Sequence, residues 1–156
     1  MGKLCIVPRR RDYRTRREDV VVTVAALLFA AGGVLLAGIG AFFLLVRPPL
    51  LPEDLRFLGR SRAEIDEAVP QLGRWLRAVF MVLGGHALTA GGLTIFVAMT
   101  AVREGARAAV VMLALAGATS IGLMTVVNFT IRSDFRWALL AATGLWIAAT
   151  LAAVWL

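Results

Sequence analysis

Among the polar residues set inside otherwise apolar stretches of this 156-residue chain, His86, Thr89, Thr125 and Asn128 are the four that could meet to do chemistry. An imidazole titrates near neutral pH, so His86 could relay a proton, ligate a haem or metal, or contact a quinone. Thr89 follows it at helical spacing, and Thr125 and Asn128 are spaced alike on another apolar stretch. Together the four define a candidate ligand-binding pocket for an apolar or weakly polar small solute. His86 is the sole histidine, and no Cys, Asp or Glu neighbours it, which makes a poor metal site and a poor haem site. Neither a metal nor a cofactor is expected. The plainer reading is that a neutral imidazole, hydroxyls and an amide hydrogen-bond between helices.

The other chemistry-bearing residues lie outside the apolar stretches. Glu53, Asp54, Glu64, Asp66 and Glu67 share one segment and could attract a cation, but arginines are interleaved among them, which reads as a solvated, salt-bridged surface. Cys5 stands alone, so neither an intrachain disulfide nor a Cys-x-x-Cys thiol oxidoreductase is available. No glycine-rich phosphate loop, Gly-x-Ser-x-Gly elbow or His-x-x-x-His pair occurs, and no catalytic residue is assigned. The chain is expected not to be an enzyme.

The elements that must position these residues are four apolar runs, at about 20–46, 78–102, 108–131 and 137–156, none containing an Asp, Glu, Lys or Arg. A helix rises ~1.5 Å per residue, so about 20 apolar residues cross the ~30 Å of hydrocarbon. The composition is 60 % hydrophobic and the mean hydropathy +0.81, beyond what a soluble domain of this size carries. The absence of buried acids disfavours an ion- or proton-coupled transporter, which keeps an ionisable group at depth.

Residues 1–19 form a basic tail with Lys3, Arg9, Arg10, Arg11, Arg14, Arg16 and Arg17, the main source of the net charge of +7. Such a cluster before a first span marks the cytoplasmic side and attracts anionic lipid headgroups. With Tyr13 its single aromatic residue, it offers little base stacking, and nucleic acid is not an expected partner. Four crossings then place both termini in the cytoplasm and residues 47–77 in an external loop. In that loop Pro52-Glu53-Asp54 reads as a helix start and Ser61-x-x-Glu64 as a capping box. Ile65, Val69, Leu72 and Leu76 continue as a helical stripe into the second span, with Trp75 as an interfacial anchor.

Small residues recur inside the spans: Gly33, Ala37 and Ala41; Ala87 and Gly91; Ala114, Ala118 and Gly122; Gly144, Ala148 and Ala152. They let helices approach closely, within one chain or between copies. The short links at 103–107 and 132–136 favour antiparallel packing of the second, third and fourth helices as successive neighbours.

The segment Leu51-Pro-Glu-Asp-Leu-Arg-Phe-Leu-Gly59, followed by Leu76-Arg-Ala-Val-Phe-Met-Val-Leu-Gly-Gly85, is similar to a loosely defined group of small bacterial four-span membrane proteins. That resemblance implies a bacterial inner-membrane location and the same four-helix plan, and brings no catalytic residues. The expectation is an all-α integral membrane protein. It is read as a four-helix transmembrane domain, 20–156, with a short interfacial helical segment in its first external loop. The domain would act in the bilayer as an accessory subunit of a membrane protein partner or as a small homo-oligomer. The alternative is a solute binder using His86 and Asn128.

Overall fold

The computed structural model describes residues 10–154, with side chains described over 20–154. The basic tail, with the lipid-headgroup reading placed on it, and the last two residues of the expected fourth span lie outside those described side chains. The described chain is all-helical and contains no strand. Its long elements are α1 (Arg10–Leu45), α4 (Leu72–Val97), which runs on into a π-helical turn (Ala98–Val102), and α7 (Arg136–Val154). Between them α5 (Arg107–Gly117) passes through a second π-helical turn (Ala118–Gly122) into α6 (Leu123–Thr130). Four apolar stretches, Val20–Leu45, Leu72–Val102, Arg107–Thr130 and Arg136–Val154, are long and apolar enough to cross a membrane.

The helices do not pack in chain order. α1 lies between α4 and α7, while α5 and α6 pack on α7 and meet α4 mainly near the turn that joins them. Of the expected neighbours across the short links, the third and fourth helices pack along their length, whereas the second meets the third mainly near their link and lies along α1 instead. The cause is where the small residues lie. Gly33, Ala37, Gly40 and Leu44 of α1 face Gly84, Leu88, Gly91 and Ile95 of α4. A methyl on Gly33 would sit 2.8 Å from the Gly91 carbonyl oxygen, and one on Gly84 equally close to that of Gly40. Backbone-to-backbone contact of this kind is how helices associate where lipid offers no hydrophobic driving force.

The second centre of packing is Trp146, 4 % exposed on α7. It fills the space left by two glycines: a methyl on Gly32 of α1 would fall 2.9 Å from its ring, and one on Gly117 of α5 would overlap the indole. Phe29 meets the same ring edge-on, with centroids 6.2 Å apart and planes at 77°. Leu36, Leu113, Ile121, Leu139 and the alanines Ala25, Ala26, Ala142 and Ala149 complete this core.

In the connection, Pro48 and Pro49 follow the end of α1, and α2 (Pro52–Leu58) and α3 (Arg62–Ala68) form where the start signals placed them. The Asp54 carboxylate accepts from the Leu51 amide at 2.8 Å, and Gly59 closes α2 in the left-handed region at φ 64°. On α3 the capping box is complete: the Glu64 amide donates to Ser61 Oγ at 3.3 Å, and the Ser61 amide to Glu64 Oε2 at 2.7 Å. The stripe from Ile65 to Leu76, however, is broken between Ala68 and Leu72. Pro70 disfavours helical geometry at Val69, which takes φ −140° and ψ 77°. Ile65 is buried and Val69 is 49 % exposed.

Candidate functional site

The four sequence-predicted site residues fall into two separate places. His86 and Thr89 lie on the exposed side of α4, away from the Gly84 and Gly91 face that meets α1. The Nδ1–H of His86 donates to the carbonyl of Val82 at 2.8 Å, one turn back, which leaves Nε2 as an acceptor. Among the described residues nothing hydrogen-bonds that Nε2 or the Thr89 hydroxyl. Several other span hydroxyls return to their own helix, as Thr100 does to Phe96 at 2.7 Å and Thr150 to Trp146 at 3.0 Å. Beside His86 and Thr89 a methyl added at Gly85 or Gly92 would meet only open space.

Thr125 and Asn128 sit on α6 and face elsewhere. Thr125, 6 % exposed, donates to the Ile121 carbonyl at 2.8 Å and shares a hydrogen bond of 2.7 Å with Thr143 of α7. The Asn128 side-chain amide donates to the Met124 carbonyl at 2.8 Å, and its backbone carbonyl accepts from the Ser133 amide at 2.9 Å. No hydrogen bond joins either residue to His86 or Thr89, because α6 packs against α7 rather than α4. The predicted pocket is thus split into an outward polar edge on α4 and an interhelical hydroxyl pair between α6 and α7. The partner Thr143 was not legible in the sequence: one threonine in an alanine-rich run gives no sign of which helix it faces.

A third polar group lies where α2 seats on the ends of the long helices. Glu53 is 4 % and Ser133 1 % exposed, and Ser133 Oγ donates to Glu53 Oε1 at 3.2 Å. Arg47, its side chain 9 % exposed, pairs with Asp54 at 3.2 Å and donates to the Pro48 carbonyl at 3.1 Å. Its guanidinium lies 3.5 Å from the centroid of the Phe80 ring and 5.4 Å from that of Phe43. Burial lowers the Arg47 pKa, and Asp54 and Glu53 oppose that shift by charge. The expectation of a solvated, salt-bridged acidic segment fits the ion pairs of Asp54, Glu64 and Asp66 and is corrected for Glu53, which is buried against Ser133. A cue was present in Arg47-Pro48-Pro49, a cation held at the end of a span. Ser133 had none, because its partner lies 80 residues away.

Among the described residues there is no group of three or more His, Cys, Asp or Glu side chains able to hold a metal ion. No family model, no curated protein and no solved structure matches this chain.

Proposed function

We propose that the chain is a multi-pass membrane protein, without enzymatic activity, that works through helix assembly as a small homo-oligomer or an accessory subunit. Its setting would be a bacterial inner membrane. The basic tail before the first apolar stretch supports cytoplasmic termini, with α2 and α3 capping the opposite side of the four-helix domain. The observation that carries the assembly reading is the α4 edge. His86 Nε2 and the Thr89 hydroxyl have no hydrogen-bond partner among the described residues, on an exposed face well inside an apolar helix, with the open sides of Gly85 and Gly92 beside them. In hydrocarbon a polar group left unpaired is costly, and a second helix on this face would supply both close packing and hydrogen bonds.

The test is disulfide trapping in native membranes, using Thr89→Cys and, as a control on another exposed surface, Val111→Cys, each in a Cys5→Ser background. A cross-linked pair of this chain, or a cross-link to one partner protein, specific to position 89 supports the reading. Equal trapping at both positions, or none at 89 in properly inserted protein, overturns it.

A further inference from the structure

Two separate clefts lie one beyond the other along the third and fourth spans and differ sharply in chemistry. The first, about 670 Å³, opens at the end of α6 and the start of α7, and Arg56, Arg132, Arg136, Asp134 and Phe57 line it. The second, about 570 Å³, lies farther along the same helix pair and is walled by Gly122, Val126, Leu140, Trp146 and Ile147. Their linings form continuous helical rows. On the third span Ala114, Ala118, Gly122 and Val126 of the apolar cleft lead at intervals of four residues to Thr130 of the charged one. On α7, Leu140 stands one turn from Arg136.

The charged cleft is built for an anion. It brings three guanidinium groups together against one carboxylate, and among the described residues Asp134 pairs with Arg56 alone, at 2.8 Å, with both side chains more than half exposed. An exposed pair of this kind is weak and can exchange its partner. Arg132 and Arg136 have no carboxylate partner among the described residues. Arg136 is nevertheless held in place: its Nη1 donates to the carbonyls of Arg132 at 3.2 Å and Ser133 at 3.1 Å. Guanidinium forks match phosphate oxygens in pairs.

A charged site at a helix end, with an apolar groove one turn farther along the same two helices, matches a phospholipid, with its head at the surface and a chain lying along the helices. We propose that this is a binding site for one anionic glycerophospholipid, whose phosphate lies among Arg56, Arg132 and Arg136. One acyl chain then occupies the groove beside Gly122 and Val126. The proposal requires that the four helices be membrane-inserted and is independent of assembly through α4.

The full chain, purified in detergent, is titrated with phosphatidylglycerol or with phosphatidylcholine of the same acyl chains, and bound lipid is counted by native mass spectrometry. The expected result is one phosphatidylglycerol per chain bound in preference to phosphatidylcholine. Arg56→Gln/Arg132→Gln should weaken this binding about tenfold or more. Val126→Trp should also weaken it, by filling a groove whose wall residue is 61 % exposed, with helicity unchanged by circular dichroism. This second variant keeps the test decisive should the arginine variant fold poorly. Equal binding of the two lipids, or binding unchanged in the variants, overturns the proposal. Displacement of the lipid by millimolar inorganic phosphate, with Val126→Trp binding normally, overturns it in favour of a soluble phosphate ligand. A chain that stays in aqueous solution without detergent overturns this proposal and the membrane reading together.

Discussion

The indole N–H of Trp146 donates to the backbone carbonyl of Leu113 across 2.8 Å, joining α7 to α5 inside the apolar core. The same ring is packed between Gly32 and Gly117, so one side chain fixes the positions of three spans. Trp146→Phe keeps most of the volume and removes the donor, and should cost about 0.6–2 kcal/mol, the range for interhelical hydrogen bonds in membranes. Trp146→Ala leaves a cavity as well and should cost about 3–5 kcal/mol. Thermal unfolding of the two variants in one detergent separates the terms. Equal losses would show that the hydrogen bond, rather than the packing, dominates.

Glycines divide by what surrounds them. Gly91→Leu puts a side chain into the backbone of Gly33 and Ala37, neither of which can retreat without separating α1 from α4. A loss of about 3 kcal/mol or more is expected, at the upper end of overpacking costs. Gly38→Ala meets nothing within 4 Å and should raise stability by about 0.5–1 kcal/mol through helix propensity. Melting curves of both variants check the contrast, and a neutral Gly91→Leu would contradict the close α1–α4 approach.

This contrast also shows how far the sequence can be read. The four long helices are legible because the length and apolarity of each run leave no alternative. The small-residue faces are legible only in part. Counting every fourth residue from Gly33 selects Ala37 and then Ala41, but two helices in lengthwise contact repeat close to every 3.5 residues, so the contact moves to Gly40. On α4 the same rule replaces Ala87 with Gly84. Gly144, at the head of the row Gly144, Ala148 and Ala152, shows the opposite failure, since a methyl on it meets nothing within 4 Å. Small residues permit approach without specifying a partner. The predicted joining of His86 to Asn128 failed for a related reason: depth along a helix can be read from sequence, whereas rotation about its axis depends on which neighbour it packs against.

Ser133 ties the connection to the helix ends twice, donating to Glu53 at 3.2 Å and accepting from the Phe135 amide at 3.1 Å. Ser133→Ala removes both contacts and leaves Glu53 buried without this donor. The cost should be about 1–3 kcal/mol, expressed as local release of α2 rather than global unfolding. Trypsin cleavage after the exposed Arg60 should then quicken about fivefold or more, because cleavage tracks the open fraction. A Ser133→Thr variant, which retains the hydroxyl, should remain near the parent rate. Unchanged cleavage in Ser133→Ala would mean that Arg47 and Asp54 hold α2 by themselves.

The cap of α3 should respond to acid in one direction. The Glu64 carboxyl is held below its ordinary pKa, first by the Ser61 amide that donates to it, then by the Ser61 side chain, with a smaller share from Arg60. A carboxylate with a depressed folded pKa contributes stability that is present above its unfolded pKa and is lost as pH falls through the folded value. The capping box is therefore intact at neutral pH and should open only below the ordinary glutamate range. Amide exchange at Ser61 and Glu64, followed by NMR in detergent, should show protection falling together at both amides on acidification. In Glu64→Gln the side-chain oxygen still accepts from Ser61 but carries no charge, so protection at neutral pH should be lower and its dependence on acid should disappear. Persistence of the same acid transition in Glu64→Gln would assign it to another carboxylate.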